Sequence, residues 1–374
     1  MRQTSGFIST YSADVFGVCS ALYELGGMIV MHDASGCNST YTTHDEPRWY
    51  DMDSMVYISG LTEIEAIMGD STKFVGDVIR AAKELSPEFI AIAGTPIPAM
   101  TGFDIDAAAY SIEAETGIPV YGFNTTGMKS YIQGAGEAFA CLAEKAVLRD
   151  VLKTDNRSAN ILGLTPLDFS VNGYAESVCG FIEAQGYQVL SSWAMGASLK
   201  DIARAGAAHE NFVVSETGLK AAEKLKEIFG TPYRSGIPVN GEFMDVGGWY
   251  HGTMRKNRLV KINTEEYKGT EVLVLGEGIS TLSLAKYIFE KKGLSSASFA
   301  STDADEDEIA EAILSVQGLK TVIADPLFER LLKALKTDGQ IHDISFIPMP
   351  HEAFSGRIYR KNMVNPVDGF YTTK

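Results

Sequence analysis

Short apolar runs alternate along the chain with longer segments of helical periodicity, and this alternation constrains the fold more than any other feature of the sequence. Each run has the length of a buried strand, and each longer segment carries apolar residues three or four positions apart. The pattern is typical of β-α units wound around parallel sheets. The predicted strands are GMIVMH, MVYIS, EFIAIAG and IPVYGF, then SANILGL, YQVLSS, NFVVS and GIPV, and finally TEVLVLG, ASFAST, TVIADP and ISFIPMP.

The predicted strands fall into three groups, so the sequence predicts three consecutive doubly wound, Rossmann-like α/β domains with parallel sheets. Their predicted bounds are 1–157, 158–268 and 269–374. Three domains suit the length of the chain, because one domain commonly has about 100–200 residues. No low-complexity linker separates the groups, which favours domains that pack tightly together. Domains of this kind bind ligands beyond the carboxyl ends of their strands.

Two helices are clear from the spacing of their apolar residues. SETGLKAAEKLKEIFG has one apolar face; Ser215 or Thr217 can cap its start, and Gly230 can end it. DVFGVCSALYEL precedes the first strand, and its spacing directs Cys19 toward the core.

The charge of the chain excludes several classes of partner. The formal net charge is -16 and the sequence pI is about 4.9, whereas nucleic acids and anionic membranes require a basic face. No apolar run approaches the ~18 residues of a membrane span, and the N-terminus has no apolar signal segment. Four cysteines in 374 residues are too few for a disulfide scaffold. We expect a reduced, cytoplasmic protein that binds neither nucleic acid nor membrane.

The segment MIVMHDASGC places Cys37 in a loop just beyond a buried strand, with His32, Asp33 and Gly36 beside it. A thiolate there is a soft ligand for iron or for an iron–sulfur cluster. The equally weighted alternative is a small, buried, apolar cysteine. One cysteine cannot hold a cluster, which usually needs four ligands, so the others would come from a second chain, other side chains or solvent.

Other loops carry weaker signals. LGEGIST lacks the third glycine of a dinucleotide-binding loop, so we interpret it as a tight β-α turn. HDEPRWYDMDS, with Glu46 and Arg48, resembles a binding or interface loop, although charged loops are more often only solvated. PHEAFSGRIYRKN follows the last strand and can hold a carboxylated or phosphorylated ligand, unless its charges are only paired locally. No motif of a serine hydrolase, a P-loop NTPase or an HExxH metalloprotease occurs in the sequence.

The motifs, taken in order, resemble component 1 of the nitrogenase-like oxidoreductases. This family includes nitrogenase iron–molybdenum protein chains, their assembly scaffold, dark-operative protochlorophyllide and chlorophyllide reductases, and a nickel-tetrapyrrole reductive cyclase. The resemblance covers nearly the whole chain, and the order of the motifs is more specific than any one of them. The similar segments are VCSALYELGGMIVMHDASGC, EPRWYDMDSMVYISGLTEIEAIMGD, FIAIAGTPIPAMTGFD, FNTTGMKSYIQGAGEA, NFVVSETGLKAAEKLKEIFGTPY, EVLVLGEGIST and HEAFSGRIYRKNMVNPVDGFY.

The chain departs from the family at two of its three cluster cysteines. Only Cys37 is retained: Tyr11 or Ser12 stands at the first position and Pro96 at the third. The cysteine that anchors the nitrogenase cofactor is replaced near Ser215, and dinitrogen is therefore not the expected substrate.

The resemblance implies an oxidoreductase subunit that receives electrons from an ATP-dependent iron–sulfur reductase. The chain would form a homodimer, or a heterodimer with a related chain, around an iron–sulfur cluster at the interface. A second metallocofactor or a tetrapyrrole-like ligand would lie between the domains. The implied metal ligands are Cys37, Asp33 and His32, the catalytic residues are His351, Arg357 and Ser215, and the cofactor-binding residues are Gly36, Thr95, Asn124, Thr125 and Ser355.

The missing cysteines favour an alternative of another class. In this interpretation the chain is a non-redox scaffold or binding protein that holds a metallocofactor or metabolite in the inter-domain cleft. A third and weaker alternative is a binding protein for nucleotide sugars or other small molecules with a similar α/β architecture.

Overall fold

The computed structural model describes residues 6–7, 12–38, 41, 46–251, 258–262 and 269–370, apart from the side chain of Arg357. These residues form three sheets that are mainly parallel, with helices packed on them. The predicted fold class is confirmed, and every strand predicted from the apolar runs is present.

The first sheet has four parallel strands in the order β2-β1-β3-β4. Its central strands, β1 and β3, are buried along their whole length, as continuous apolar runs in a parallel sheet predict. The elements are α1 (Asp14–Leu22), β1 (Met28–Met31), β2 (Met55–Ile58), α2 (Glu63–Met68), α3 (Thr72–Leu85), β3 (Ile90–Ala93), α4 (Pro96–Thr101), α5 (Ile105–Thr116), β4 (Val120–Phe123) and α6 (Tyr131–Lys145).

The second sheet has the order β6-β5-β7-β8-β9. Its last strand is antiparallel to β8 and was not predicted, because we interpreted that segment as a connection between domains. The elements are β5 (Ser158–Leu164), α7 (Pro166–Phe169), α8 (Tyr174–Ala184), β6 (Gln188–Ala194), α9 (Leu199–Ala203), β7 (Glu210–Val213), α10 (Leu219–Phe229), β8 (Tyr233–Val239), β9 (Glu242–Asp245) and α11 (Gly247–Trp249).

The third sheet has the order β10-β12-β11-β13-β14, with β10 antiparallel at one edge. This strand corrects a predicted boundary: it lies within 158–268, the predicted second domain, yet it pairs with β12 of the third sheet. The elements are β10 (Leu259–Ile262), β11 (Val272–Gly276), α12 (Gly278–Lys292), β12 (Ser296–Ala300), α13 (Glu306–Leu314), β13 (Thr321–Ala324), α14 (Phe328–Thr337), β14 (Ser345–Pro348) and α15 (Glu352–Ser355).

The helix α10 begins later than its sequence pattern indicated. A 3-10 turn, Glu216–Gly218, comes first, and the Ser215 side chain accepts the N–H of Thr217 to cap that turn. The helix ends at Gly230 in the left-handed conformation, as predicted. Among the described residues, no helix is both long enough and apolar enough to cross a membrane.

One continuous hydrophobic cluster contains residues of all three domains, in agreement with tight packing. The first and sixth helices approach most closely at two glycines. A Cβ on Gly17 would lie 2.1 Å from the carbonyl oxygen of Tyr131, and one on Gly134 would lie 1.8 Å from that of Asp14. Backbone therefore packs directly on backbone, and this contact fixes the start of α6 relative to the rest of the molecule.

Candidate functional site

Side chains from all three domains meet around the carboxylate of Asp168, which lies in α7 just after β5 and is 1% exposed. Tyr131, at the start of α6, donates its hydroxyl to Asp168 Oδ1 at 2.5 Å. Ser215 and Thr165 donate theirs to Oδ2 at 2.6 and 3.0 Å. We call the cluster of Tyr131, Asp168, Ser215 and His351 the three-domain junction.

The third domain contributes His351, which follows β14. Asp325, at the end of β13, accepts the backbone N–H of His351 at 2.9 Å. The ring lies near those of Tyr131 and Phe354, with centroid distances of 6.4 and 5.5 Å, and its Nε2 is 3.3 Å from Asp168 Oδ1. Both ring nitrogens are buried and neither has a hydrogen-bond partner among the described residues. A buried polar group without a partner destabilises a protein by ~1–3 kcal/mol, so this imidazole is placed to meet a ligand.

The segment that carries His351 is held by two further buried carboxylates. Ser355 donates to Asp325 Oδ2 at 2.7 Å, so this predicted cofactor contact is already engaged within the domain. Glu352 accepts the Ser170 hydroxyl at 3.1 Å and also pairs with Arg360, which ties the segment to the second domain. Arg357, a predicted catalytic residue, has its side chain outside the described part of the chain.

Two more carboxylates are buried between the second and third domains. Glu277 Oε1 accepts the backbone N–H of Glu216 at 2.7 Å, and Glu216 Oε1 accepts the Tyr250 hydroxyl at 2.7 Å. Burial raises the pKa of both carboxyl groups, and the nearby Glu216 and Asp168 raise that of Glu277 further. This side of the junction therefore favours protonated carboxyl groups.

The GEG turn is the tight β-α turn that we expected. Glu277 caps α12, accepting N–H groups of its first turn at 3.1 and 2.8 Å. A Cβ on Gly278 would lie 2.5 Å from Glu216 Oε1, so glycine is needed for this close approach. The helix start is already covered by carboxylates of the chain, and it is a poor site for a phosphate.

The loop after β1 exposes the thiol of Cys37, as a ligand role requires. Asp33 is 2% exposed, and its two oxygens accept the N–H of Ala34 at 2.8 Å and the amide of Asn38 at 2.7 Å. Partial desolvation and then the adjacent Asp33 carboxylate raise the pKa of the Cys37 thiol. Without a metal, the loop therefore favours the thiol over the thiolate.

Two neighbours of Cys37 are placed differently from their predicted roles. His32 lies in the core between the rings of Phe74 and Phe103, at centroid distances of 4.3 and 4.1 Å, and burial lowers its pKa to about 4. Its Nδ1 is 2.9 Å from Ser59 Oγ. This placement explains His32 as a core histidine and does not support a metal ligand. Gly36 is exposed, and a Cβ there would meet nothing within 4 Å, so no close approach requires the glycine.

Three other predicted cofactor-binding residues lie at the same edge of the first sheet. Thr95 donates its hydroxyl to the carbonyl of His32 at 2.8 Å, and Thr125 donates to that of Gly94 at 2.6 Å. Both threonines are buried and join the ends of neighbouring strands. Asn124 is exposed between them and is the member of this set that faces solvent.

The donor set of one chain does not fit an iron–sulfur cluster. All four cysteines lie in the described part, and Cys37 alone is exposed; Cys19 is fully buried, as its helical position predicted. Among the described residues, no three His, Cys, Asp or Glu side chains are grouped so that they could hold a metal ion. A cluster would need ligands from a second chain, and the predicted interface cluster stays a prediction.

The predicted binding loop around Glu46 and Arg48 has a structural role where it is described. Arg48 Nε lies 2.6 Å from Glu46 Oε1, and both side chains are buried. Arg48 also contacts Glu24 at 2.9 Å, and the Tyr41 hydroxyl donates to Glu46 at 2.8 Å. The pair anchors the loop on α1. His44 and Asp45 of the same motif lie outside the described residues.

An exposed apolar surface lies at the same edge as Cys37, with Leu61 just before it joined to the cysteine loop by an N–H···O bond to Asp33 at 2.7 Å. The neighbouring helices α2 and α4 present it; α2 has no buried residue. We call it the apolar face, and it consists of Ile64, Ile67 and Met68, each 74% exposed, and Met100, 86% exposed. Patches of this kind mark interaction surfaces.

Sequence reasoning missed the residues that organise the junction, namely Tyr131, Asp168, Glu216, Glu277 and Asp325. Each follows a predicted strand or begins a helix, so the rule that sites lie at strand ends could have selected them. Their types gave no signal, because a single Asp, Glu or Tyr in a loop is usually only solvated or packed.

The fold, with its junction and cysteine loop, defines a class. A family model described as nitrogenase component 1 type oxidoreductase matches residues 15–245, and this chain belongs to that family. The resemblance drawn from the sequence motifs is thereby confirmed.

Three curated relatives are similar over part of their length. The chain is 25% identical over 242 residues to the nitrogenase molybdenum-iron protein alpha chain of Clostridium pasteurianum, a match covering 63% of this chain and 43% of the relative. It is 36% identical over 107 residues to a light-independent protochlorophyllide reductase chain of Dinoroseobacter shibae, covering 28% and 20%. It is 29% identical over 188 residues to the nitrogenase iron-molybdenum cofactor biosynthesis protein NifE of Sinorhizobium fredii, covering 48% and 36%. The chain thus spans less than half the length of these relatives.

Solved structures share the fold over most of the chain. Nitrogenase Cp1 at pH 5 superposes with a TM-score of 0.59 and 16% identity, covering 94% of this chain and 78% of that one. Nitrogenase Cp1 at pH 6.5 gives 0.58 and 15%, covering 87% and 63%. At such identities the likeness establishes the architecture alone.

Proposed function

We propose that this chain is the substrate-binding subunit of a two-component reductase. An ATP-dependent iron–sulfur reductase delivers electrons at the edge that carries Cys37, and a bound substrate or cofactor is reduced at the three-domain junction. Membership of the family supports the class of reaction. The unpartnered His351 imidazole is the observation that supports the position of the ligand.

The apolar face supports a protein partner beside Cys37. It is bordered by the exposed carboxylates of Glu63 and Asp70, and the chain carries a net charge of -16. Two copies brought together on this face would oppose like charges, whereas a partner with an apolar centre and a basic border would be attracted. We therefore assign this face to the electron donor. A second copy, or a related chain, meets the cysteine loop.

The iron content of protein purified without oxygen tests the redox function. Two copies joined at Cys37 should be brown and contain about two to four irons per dimer. The Cys37→Ala variant should be colourless and remain folded by circular dichroism. Cys141→Ala is the matched control, because that half-buried cysteine on α6 is far from any proposed ligand role and its loss should leave the iron in place.

Electron uptake from a co-expressed ATP-dependent iron–sulfur protein tests the partner surface. Ile67→Glu should abolish ATP-dependent electron uptake and leave the iron content unchanged. Tyr110→Glu is the control, since Tyr110 is also exposed, at 78%, but lies on α5 outside the apolar face. Binding of a basic partner should weaken as salt is raised. Equal uptake by both variants would refute the assignment of this face.

The second candidate is a non-redox scaffold that holds a metallocofactor or metabolite at the junction. The specific observation in its favour is that the described residues of one chain offer no group of three metal ligands. A wild-type protein that is colourless and free of iron, with the fold intact, would establish this alternative over the first.

A further inference from the structure

The carboxylate of Asp168 is placed to control the chemistry of His351. Its Oδ2 accepts hydroxyl groups from Ser215 and Thr165, and its Oδ1 accepts that of Tyr131. The Nε2 of His351 lies 3.3 Å from the same Oδ1, and Nδ1 has no partner among the described residues. Asp168 is thus the one group that contacts a ring nitrogen of His351 in the described part of the junction.

We propose that Asp168 is a positioning residue: it holds the His351 imidazole through a proton on Nε2, so that Nδ1 is the ring atom presented to the bound ligand. The inference rests on the proposed function only in placing a ligand at the three-domain junction. It concerns which atom of the chain meets that ligand.

The donor and acceptor properties of the groups support this arrangement. An ionised carboxylate can only accept hydrogen bonds, so an unprotonated Nε2 beside Oδ1 would place two lone pairs together. Nε2–H removes that repulsion, and a carboxylate behind one ring nitrogen commonly sets the tautomer of the other. The contact is longer than a strong hydrogen bond, and contacts of this kind often tighten when a ligand binds.

Two other contacts hold the ring where Asp168 can act on it. Asp325 fixes the backbone of His351 through its N–H, and the Tyr131 and Phe354 rings lie beside the imidazole. The hydroxyl of Tyr131 fixes Oδ1 in turn. The ring has therefore little freedom to turn its other nitrogen toward the carboxylate.

Substitutions at Asp168 separate the two sides of the carboxylate. In Asp168→Asn the amide nitrogen can replace Oδ2, because the Ser215 and Thr165 hydroxyls can accept as well as donate. The amide oxygen then stays beside Tyr131 and His351, and the tautomer should be retained. Asp168→Ala removes the acceptor and should release the tautomer.

Nuclear magnetic resonance of histidine-¹⁵N-labelled protein reads the tautomer directly. The chain has six histidines, and His351→Gln identifies the resonances of this one. We expect Nε2–H in the wild type and in Asp168→Asn, and a shift to Nδ1–H or a mixture in Asp168→Ala. Thr165→Val is the matched control, because it removes a donor only from Oδ2 and should change nothing. Unchanged resonances of the other five histidines show that the fold is kept.

The result is independent of iron and of electron transfer, so this inference and the proposed function can fail separately. A wild-type His351 that carries its proton on Nδ1 overturns the inference, even if no alanine variant folds. So does an Asp168→Ala protein that keeps Nε2–H, or an Asp168→Asn protein that loses it.

Discussion

Replacement of Gly134 by alanine should destabilise the protein, although alanine usually stabilises a helix. A Cβ at this position would lie 1.8 Å from the carbonyl oxygen of Asp14 and 2.6 Å from its carbon. Because ordinary contact begins near 3.4 Å, α1 and α6 must separate by at least about 1.5 Å. Overpacking of this kind costs ~1–3 kcal/mol or more, which outweighs the ~0.5–1 kcal/mol that alanine gains over glycine in a helix.

Gly76 provides the matched control within another helix. It lies inside α3, and a Cβ there would meet nothing within 4 Å. Gly76→Ala should therefore raise the free energy of unfolding by ~0.5–1 kcal/mol. The two variants should differ by about 3 kcal/mol, which for a chain of this size is a difference of ~6 °C in melting temperature.

The same substitution also tests how packing positions the junction. The sixth helix begins at Tyr131, whose hydroxyl lies 2.5 Å from Asp168, so a displaced helix moves this donor away from the carboxylate. Thermal unfolding followed by circular dichroism measures the stability, and the His351 resonances report the junction. If Gly134→Ala melts within 1 °C of Gly76→Ala, the two helices are not in direct backbone contact at this glycine.

Three further predictions concern buried charges and thiols. Burial and two neighbouring carboxylates raise the pKa of Glu277, so the folded state holds the proton more tightly than the unfolded chain and stability falls as pH rises above about 4.5; Glu277→Gln should flatten this dependence in denaturant titrations at successive pH values. Arg48→Met leaves a buried carboxylate unpaired and should cost ~3–5 kcal/mol, whereas Arg80→Met, at an exposed pair, should cost at most ~1 kcal/mol in the same assay. A thiol reagent at pH 8 should label Cys37 first and Cys19 only after denaturation, as peptide mass spectrometry will show; fast labelling of Cys19 in the native protein would contradict its burial.

The order of strands and helices follows from local periodicity, and this part of the fold could be predicted. Continuous apolar runs such as those of β1 and β3 indicate buried parallel strands, and both are buried throughout. The strands β9 and β10 were not assigned correctly, because short edge strands bury one face at most and their pairing is a tertiary property. A strand of four residues contains too little pattern to show which sheet it will join.

The candidate site was predictable in position but not in composition. His351 and Ser215 were selected through the family resemblance, and the structure brings both to Asp168. Asp168 itself was missed, since its role depends on contacts with residues 37 positions before it and 183 after it. His32 shows the opposite error: its place beside Cys37 in the sequence suggested a shared metal, yet alternation along β1 and the strand's end direct it into the core.

The two candidate functions share the junction and differ only at the cysteine loop. A buried imidazole without a partner lowers stability unless a ligand completes it, so selection for a ligand explains the junction in a reductase and in a scaffold alike. The exposed Cys37, by contrast, has no structural purpose in a single chain: it fills no cavity, and the adjacent carboxylate disfavours its thiolate. Only a metal would overcome that carboxylate, because coordination deprotonates a thiol outright. An exposed thiol beside an exposed apolar face is therefore the feature that separates electron transfer from simple binding, and the iron content at this one cysteine decides between the two.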